Sequence, residues 1–155
     1  MRFVAMVLCA LAIASGQAYA EGNLRPSQCP QGQGLKATLM VRGHNGPPFP
    51  VVLSTVDPSY LNARWHLVPV GDQFGIVSFL TQYGSVAITS TGNGAAVVAS
   101  PWNGNAQQLW QVTNDGRNST FALGASELYL RTGQCNRGQP LVLAPNSGPI
   151  IWIWN

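Results

Sequence analysis

Short runs of apolar residues recur along the chain, and a polar loop leads from each run to a tryptophan. Residues 51–53 lead to Trp65, residues 97–99 lead to Trp110, and residues 141–143 lead to Trp154. These tryptophans are 45 and 44 residues apart. Turn-forming residues interrupt the chain roughly every 8–12 residues, which is the spacing of short strands in all-β domains. The pattern therefore predicts a repeated all-β unit of about four short strands.

Each unit begins with a further strand-like stretch that ends in a glycine-containing turn. These stretches are residues 39–43, 86–94 and 128–133. Stacked solenoid repeats are one interpretation of a period near 40 residues, but no capping repeat is visible. A closed threefold arrangement removes exposed strand edges. We therefore predict a β-trefoil of three pseudo-repeats of about 44 residues, with units at about 21–82, 83–125 and 126–155 in one domain.

The first twenty residues have the pattern of a secretory signal peptide. Arg2 precedes an uncharged apolar run over residues 3–14, and Ala18-Tyr19-Ala20 forms a small-residue cleavage pattern. A transmembrane anchor is the alternative, but it needs about 20 apolar residues. We predict cleavage after Ala20 and a secreted protein, extracellular or periplasmic, without a membrane span.

Removal of residues 1–20 takes away Cys9 and leaves Cys29 and Cys135. An even pair in an exported chain indicates one disulfide, with two free thiols as the alternative. The third unit ends one residue after Trp154 and so lacks a fourth strand. We expect residues 23–29 to supply that strand and the disulfide to fasten it.

Charged residues make up only 8% of the chain, with 8 Lys and Arg and 5 Asp and Glu. The cations are scattered singly, whereas nucleic-acid binding needs them clustered. The sequence therefore argues against a nucleic-acid partner. It favours recognition of neutral ligands or proteins. Asn118-Ser119-Thr120 matches the N-glycosylation acceptor pattern, which has meaning only in a eukaryotic source.

The triplet Gln108-Leu109-Trp110, together with the threefold repeat, resembles the ricin B-type lectin family. The other units carry Ala63-Arg64-Trp65 and Ile151-Trp152-Ile153-Trp154 in its place. The resemblance implies a β-trefoil that binds a glycan or glycoprotein at a cell surface. In that family the sugar pocket uses an early Asp, an aromatic after the second strand and an Asn-Gln pair beside the tryptophan. Here Thr89 or Ser90 stands at the Asp position. The candidate ligand-binding residues are Trp102, Asn103, Asn105, Gln107 and Gln108.

Aromatic residues that recur at one place in each repeat are first of all core residues. Trp65, Trp110 and Trp154 are therefore predicted to be buried. Trp102 and Trp152 fall outside that phase, and we expect them to be freer to lie at the surface. The amides of Gln107 and Gln108 have an alternative role in bonding backbone around the core tryptophan.

No arrangement of residues for catalysis is visible. The two histidines are His44 and His66, the five carboxylates are Glu21, Asp57, Asp72, Asp115 and Glu127, and all of them occur singly. Paired carboxylates, a nucleophile with its base or a spaced ligand set are needed for the common reaction types and metal sites. His66 follows Trp65 in a strand and so is expected to face solvent. We predict a non-enzymatic protein without a metal or a cofactor.

Residues 44–50 form a loop stiffened by three prolines, with His44 at its start and Phe49 near its end. A preorganised loop with an exposed aromatic suits protein docking, because less entropy is lost on binding. The alternative function is therefore a trefoil that binds a partner protein. It would be a protease inhibitor, as in the Kunitz soybean-type and fungal trefoil families, or a delivery subunit similar to those of bacterial genotoxins.

Overall fold

The computed structural model describes residues 20–113, 118–145 and 150–155, and its secondary structure consists mainly of short antiparallel strands. The predicted signal peptide, apart from Ala20, and Asp115 lie outside the described residues. The strands are β1 (Glu21–Gly22), β2 (Leu24–Pro26), β3 (Lys36–Leu39), β4 (Phe49–Ser54), β5 (Trp65–Val70), β6 (Gln73–Ser78), β7 (Val86–Thr89), β8 (Val98–Pro101), β9 (Trp110–Thr113), β10 (Asn118–Leu123), β11 (Tyr129–Thr132), β12 (Leu141–Ala144) and β13 (Trp152–Trp154). Single 3-10 turns lie at Gln31–Gln33, Leu61–Ala63 and Ala106–Gln108. No helix in the described part of the chain is both long and apolar enough to cross a bilayer.

A closed barrel forms the centre of the fold. Its antiparallel pairs run from β5 to β6, β9, β10 and β13 in turn. The N-terminal segment closes the ring, because β2 pairs with β13 and β1 pairs with β5. Along β5 the side chains alternate, with Trp65 and Leu67 buried and His66 and Val68 on the outer face. Both edges of the barrel sheet, β5 and β13, are thus paired within the described residues.

Three hairpins cap one end of this barrel, one from each unit. They are β3 with β4, β7 with β8, and β11 with β12. The second strands of the hairpins meet one another through the pairs Phe49↔Ala99, Val52↔Pro140 and Ala96↔Val142. Each unit thus repeats the same hairpin and the same barrel strands around a pseudo-threefold axis.

The N-terminal segment supplies the fourth strand that the third unit lacks. Trp154 pairs with Leu24, and the backbones of Asn23 and Asn155 exchange hydrogen bonds of 2.9 and 3.0 Å. The Cys29–Cys135 disulfide is present, with its Cα atoms 5.5 Å apart. The strand starts at Glu21, two residues before the predicted segment, and its last main-chain hydrogen bond to the third unit runs from the Ser27 N–H to the Ile151 carbonyl at 2.9 Å.

In the third unit, the tryptophan that corresponds to Trp65 and Trp110 is Trp152 and not the predicted Trp154. The indole N–H groups of Trp65, Trp110 and Trp152 donate to the carbonyls of Ala37, Ile88 and Leu130 at matching places on β3, β7 and β11. Trp152 is therefore the third repeat residue, and it is fully buried. The expectation of a surface position for Trp152 was wrong.

Trp154 is also buried, but it has another role. It lies two residues further along its strand, where the first two units carry Leu67 and Val112. Residues two apart in a strand share a face, so Trp152 and Trp154 both point into the core. The indole N–H of Trp154 donates to the Ser119 hydroxyl at 3.0 Å. The predicted burial of Trp65, Trp110 and Trp154 agrees with these contacts.

A half-buried histidine lies at the seam where the N-terminal strand closes the barrel. His66 of β5 pairs with Glu21 of β1, and its ring centroid is 4.7 Å from that of Phe79. Arg64 also contacts Phe79, with its guanidinium carbon 5.6 Å from the ring centroid. Within the described residues, the buried Nδ1 of His66 has no hydrogen-bond partner. Burial lowers the pKa of His66, and the Glu21 carboxylate opposes this effect. His66 was expected to face solvent, and in the structure its side chain lies on the outer face of β5 but is half-buried.

Closure at Gly22 can be tested by adding one methyl group. Gly22 has φ +128°, and a Cβ at this position would collide with the carbonyl oxygen of Asn155. Gly43 has φ +83° with nothing within 4 Å of the added atom, so Gly43→Ala carries backbone strain without the collision. We expect Gly22→Ala to lower the free energy of unfolding by about 1–3 kcal/mol more than Gly43→Ala, measured by denaturant unfolding. Equal losses would show that the two chain ends do not need this close approach.

Acidification should weaken the seam through His66. A histidine whose pKa is lowered by folding binds fewer protons when folded than when unfolded. The free energy of unfolding should therefore fall as the pH drops below about 6.5, the unfolded pKa of histidine, until the lower folded pKa is reached. We expect His66→Gln to flatten this fall between pH 7 and 5.5, and His44→Gln, at an exposed position, to retain it. If the free energy of unfolding of His66→Gln fell as much as that of the unmodified protein, the pH dependence would come from other groups.

Candidate functional site

Gln108 organises the loop that follows β8 in the second unit. It is fully buried, and its side-chain oxygen accepts hydrogen bonds from the backbone N–H groups of Asn103 and Gly104 at 3.0 and 3.2 Å. Its amide nitrogen donates to the Pro101 carbonyl at 2.9 Å and to the Thr89 hydroxyl at 3.1 Å. These bonds occupy the amide on both sides. Gln108 is therefore a structural residue, and its prediction as a ligand contact is corrected.

Trp102 packs against the barrel. A Cβ at Gly75 of β6 would lie 2.5 Å from two atoms of the indole ring, so the glycine makes room for the ring. The Trp102 side chain is half-buried, while Asn103 and Asn105 are exposed. The Asn103 side-chain oxygen accepts from the Asn105 N–H at 2.9 Å and so fixes a turn. Ligand binding by these three residues stays a prediction.

Gln107 lines a surface depression of about 370 Å³ in which Trp102 takes no part. The lining consists of Ser90, Thr91, Gly92, Asn93, Gln107, Leu123, Leu128 and Leu143. The exposed Gln107 accepts a backbone hydrogen bond from Ser90 at 2.9 Å, which joins the two sides of the depression. The structure thus separates two residues that the sequence analysis placed in one site.

The first unit has a depression at the corresponding place. Asn62 precedes Trp65 by three residues, as Gln107 precedes Trp110. The volume of this depression is about 400 Å³, and its lining residues are Val41, Ser59, Tyr60, Leu61, Asn62, Leu80 and Gln82. The Asn62 amide donates to the Leu39 carbonyl at 3.2 Å, which uses one of its two amide hydrogens. Its remaining hydrogen-bonding capacity makes Asn62 a candidate ligand contact.

A short turn holds the aromatic rim of the first-unit depression. The Asp57 carboxylate accepts from the Ser59 N–H at 2.8 Å and from the Ser59 hydroxyl at 2.6 Å. These hydrogen bonds lower the pKa of Asp57, so the carboxylate stays charged. The Tyr60 N–H donates to the Asp57 carbonyl at 3.0 Å, and the Tyr60 side chain is 58% exposed.

The two depressions differ in chemistry although the repeat relates them. Tyr60 and Leu61 are exposed at the first, where the second unit carries Asn105 and Ala106. The barrel core does not require apolar residues here, because the second unit folds without them. No motif in the sequence marks the first-unit site, although alignment of the repeats on Trp65 and Trp110 sets Tyr60 against Asn105.

The proline-rich loop does not present the aromatic expected of it. Phe49 is fully buried at the start of β4, and its ring contacts Tyr83 at 5.1 Å and His44 at 6.2 Å between centroids. His44 is exposed. The prediction of Phe49 as a docking residue was wrong, because it pairs with Ala99 where the hairpins meet.

Among the described residues, no group of three or more His, Cys, Asp or Glu side chains is arranged to hold a metal ion. The expectation of a non-enzymatic protein stays a prediction.

Replacing Gln108 should separate its structural role from that of its neighbour. We expect Gln108→Ala to lower the free energy of unfolding by about 1–3 kcal/mol, because the Asn103 and Gly104 N–H groups lose their acceptor. Gln107→Ala, at an exposed position, should change it by no more than about 0.5 kcal/mol. Denaturant unfolding of both variants checks this. Equal effects would contradict the assigned role of Gln108.

Similar proteins were found among solved structures. No protein-family model and no curated protein sequence matches the chain. The designed 3-fold symmetric protein ThreeFoil matches with TM-score 0.67 and 17% identity over 86% of this chain and 96% of its own. A mosquitocidal holotoxin matches with TM-score 0.68 and 15% identity over 89% of this chain and 17% of its own.

A lectin shows a similar likeness. The Polyporus squamosus lectin matches with TM-score 0.64 and 17% identity, over 90% of this chain and 49% of its own. The chain thus spans less than half of the lectin and under a fifth of the holotoxin. At these identities the likeness concerns the fold alone. Together with the closed barrel and its three hairpin caps, it shows that this chain has a β-trefoil fold.

Proposed function

We propose that the chain is a secreted, non-enzymatic carbohydrate-binding module that resembles the ricin B-type lectins. The observation that carries the proposal is the depression of the first unit, where the exposed ring of Tyr60 lies beside the amide of Asn62. Sugar sites combine an aromatic surface for the C–H face of the ring with amides and hydroxyls for its hydroxyl groups.

The chemistry of the lining favours a neutral sugar. Ser59, Asn62 and Gln82 offer a hydroxyl and two amides, and no charged residue lines the depression. Val41, Leu61 and Leu80 supply the apolar surface. The Asp57 turn holds Tyr60 in place before a ligand arrives, which lowers the entropic cost of binding.

The depression of the second unit is a weaker candidate for the same class of ligand. Ser90, Asn93 and Gln107 provide polar groups above three leucines, but no aromatic residue lines it. The Polyporus squamosus lectin was solved with a sialylated trisaccharide bound, which supports glycans as the ligand class for a domain of this fold.

A delivery subunit that binds a partner protein is the second candidate function. The exposed side chains of Tyr60 and Leu61, which line the same depression, favour it, since neighbouring apolar side chains on a surface are common in protein interfaces. The mosquitocidal holotoxin contains a similar fold, which supports a toxin-like module as a candidate. The protease-inhibitor alternative loses its main support, because Phe49 is buried.

A glycan array with matched variants tests the proposed site. Tyr60→Ala should lower the affinity for the bound glycan about tenfold, because the stacking surface is lost, whereas Tyr60→Phe should keep most of it. Trp102→Ala serves as the control at the site that the sequence predicted. Unfolding curves of each variant separate lost binding from lost structure.

Two other outcomes would contradict this site. Loss of binding in Trp102→Ala but not in Tyr60→Ala would move the site to the loop after β8. A flat array for the unmodified protein, with a partner protein bound through Leu61, would favour the delivery subunit.

A further inference from the structure

A third depression, of about 380 Å³, lies beside the disulfide. Its lining residues are Gln33, Leu35, Thr55, Cys135, Asn136 and Arg137. None of them lines either of the depressions considered for sugars. Arg137 supplies the one charged side chain of this lining, and it is exposed.

The two ends of the disulfide differ in access. Cys29 is buried, with 3% of its surface exposed, whereas Cys135 is partly exposed and lines the depression. Thiol–disulfide exchange needs direct approach of a thiolate to one sulfur atom. A thiolate is negatively charged, so the Arg137 guanidinium favours its approach. Geometry and charge thus direct attack to the Cys135 end.

We propose that Cys135 is the entry point for thiol–disulfide exchange with a small anionic thiol. The thiolate sulfur attacks Sγ of Cys135 and forms a mixed disulfide. The Cys29–Cys135 bond breaks, and its electron pair leaves on Sγ of Cys29, which takes a proton from water. A second thiolate attacks the mixed disulfide at the sulfur of the first thiol. The products are the oxidised dimer of the small thiol and a Cys135 thiolate, so two thiols are oxidised and one protein disulfide is reduced.

The consequence of exchange falls on the strand that closes the barrel. Cys29 follows β2 by three residues, and the disulfide joins positions 106 residues apart in sequence. After reduction, pairing with β13 and β5 remains, but the covalent tie to the third unit is gone. A reducing compartment would therefore loosen the N-terminal strand before the rest of the fold.

The test compares an anionic with a neutral thiol on the folded, disulfide-bonded protein. Glutathione is the anionic probe and 2-mercaptoethanol the neutral one. Mass spectrometry of the acid-quenched protein should locate the first adduct on Cys135. Arg137→Gln should slow reduction by glutathione about two- to fivefold, as expected for one exposed charge. It should slow reduction by 2-mercaptoethanol less, because the attacking thiolate of 2-mercaptoethanol carries one negative charge and that of glutathione carries a net charge of about −2. Arg42→Gln, an exposed arginine outside this depression, should change neither rate.

Hydrogen exchange gives a second readout on the same samples. Amides of residues 22–29 should exchange faster after reduction, while those of β9 and β10 keep their protection. A first adduct on Cys29, or an unchanged ratio of the two rates in Arg137→Gln, would overturn the proposal. A reduction rate that does not depend on thiol concentration would also overturn it, since global unfolding would then be the limiting step.

Discussion

The pairing of the N-terminal strand with β5 and β13 is the contact on which the rest of the structure depends. Without it the barrel has two open edges, and unpaired backbone groups are costly when buried. The contact is close, because Gly22 lies against Asn155 with no room for a side chain. The Asn23 amide reinforces the seam by donating to the carbonyls of Pro58 and Ala63 at 3.0 and 2.7 Å.

The architecture could be predicted from sequence because the core repeats. Apolar runs and tryptophans recur with the period of the unit. The N-terminal segment was the one stretch of chain left to replace the missing fourth strand. The phase of the third tryptophan could not be predicted in the same way. Trp152 and Trp154 share one face of a strand, and spacing alone does not tell which of them follows Trp65 and Trp110. Only the acceptor of each indole N–H separates them.

The candidate site was less predictable because it depends on where short loops lie. Gln108 has a side chain typical of sugar contacts, but the loop folds back over it and takes up its amide. Phe49 lies in a loop-like sequence, yet the meeting of hairpins buries it. Tyr60 is not part of any sequence motif. The Asp57 turn that presents it to solvent can be seen only in the three-dimensional structure. Composition anticipated the neutral lining of this depression, since the chain has few charges to place there.

The meeting of Asn23 with Asn155 has a kinetic consequence. These residues lie at opposite ends of the folded domain in sequence, so their contact has a high loop-closure cost and forms slowly compared with the local hairpins. During synthesis from the N-terminus, β1 and β2 are made first, and the ring cannot close until β13 has been made. Until then the edges of β5 and β13 are open to strands of other chains. We therefore expect closure of the ring to compete with aggregation during folding, and a disulfide formed early to favour closure, because it holds residue 29 near residue 135.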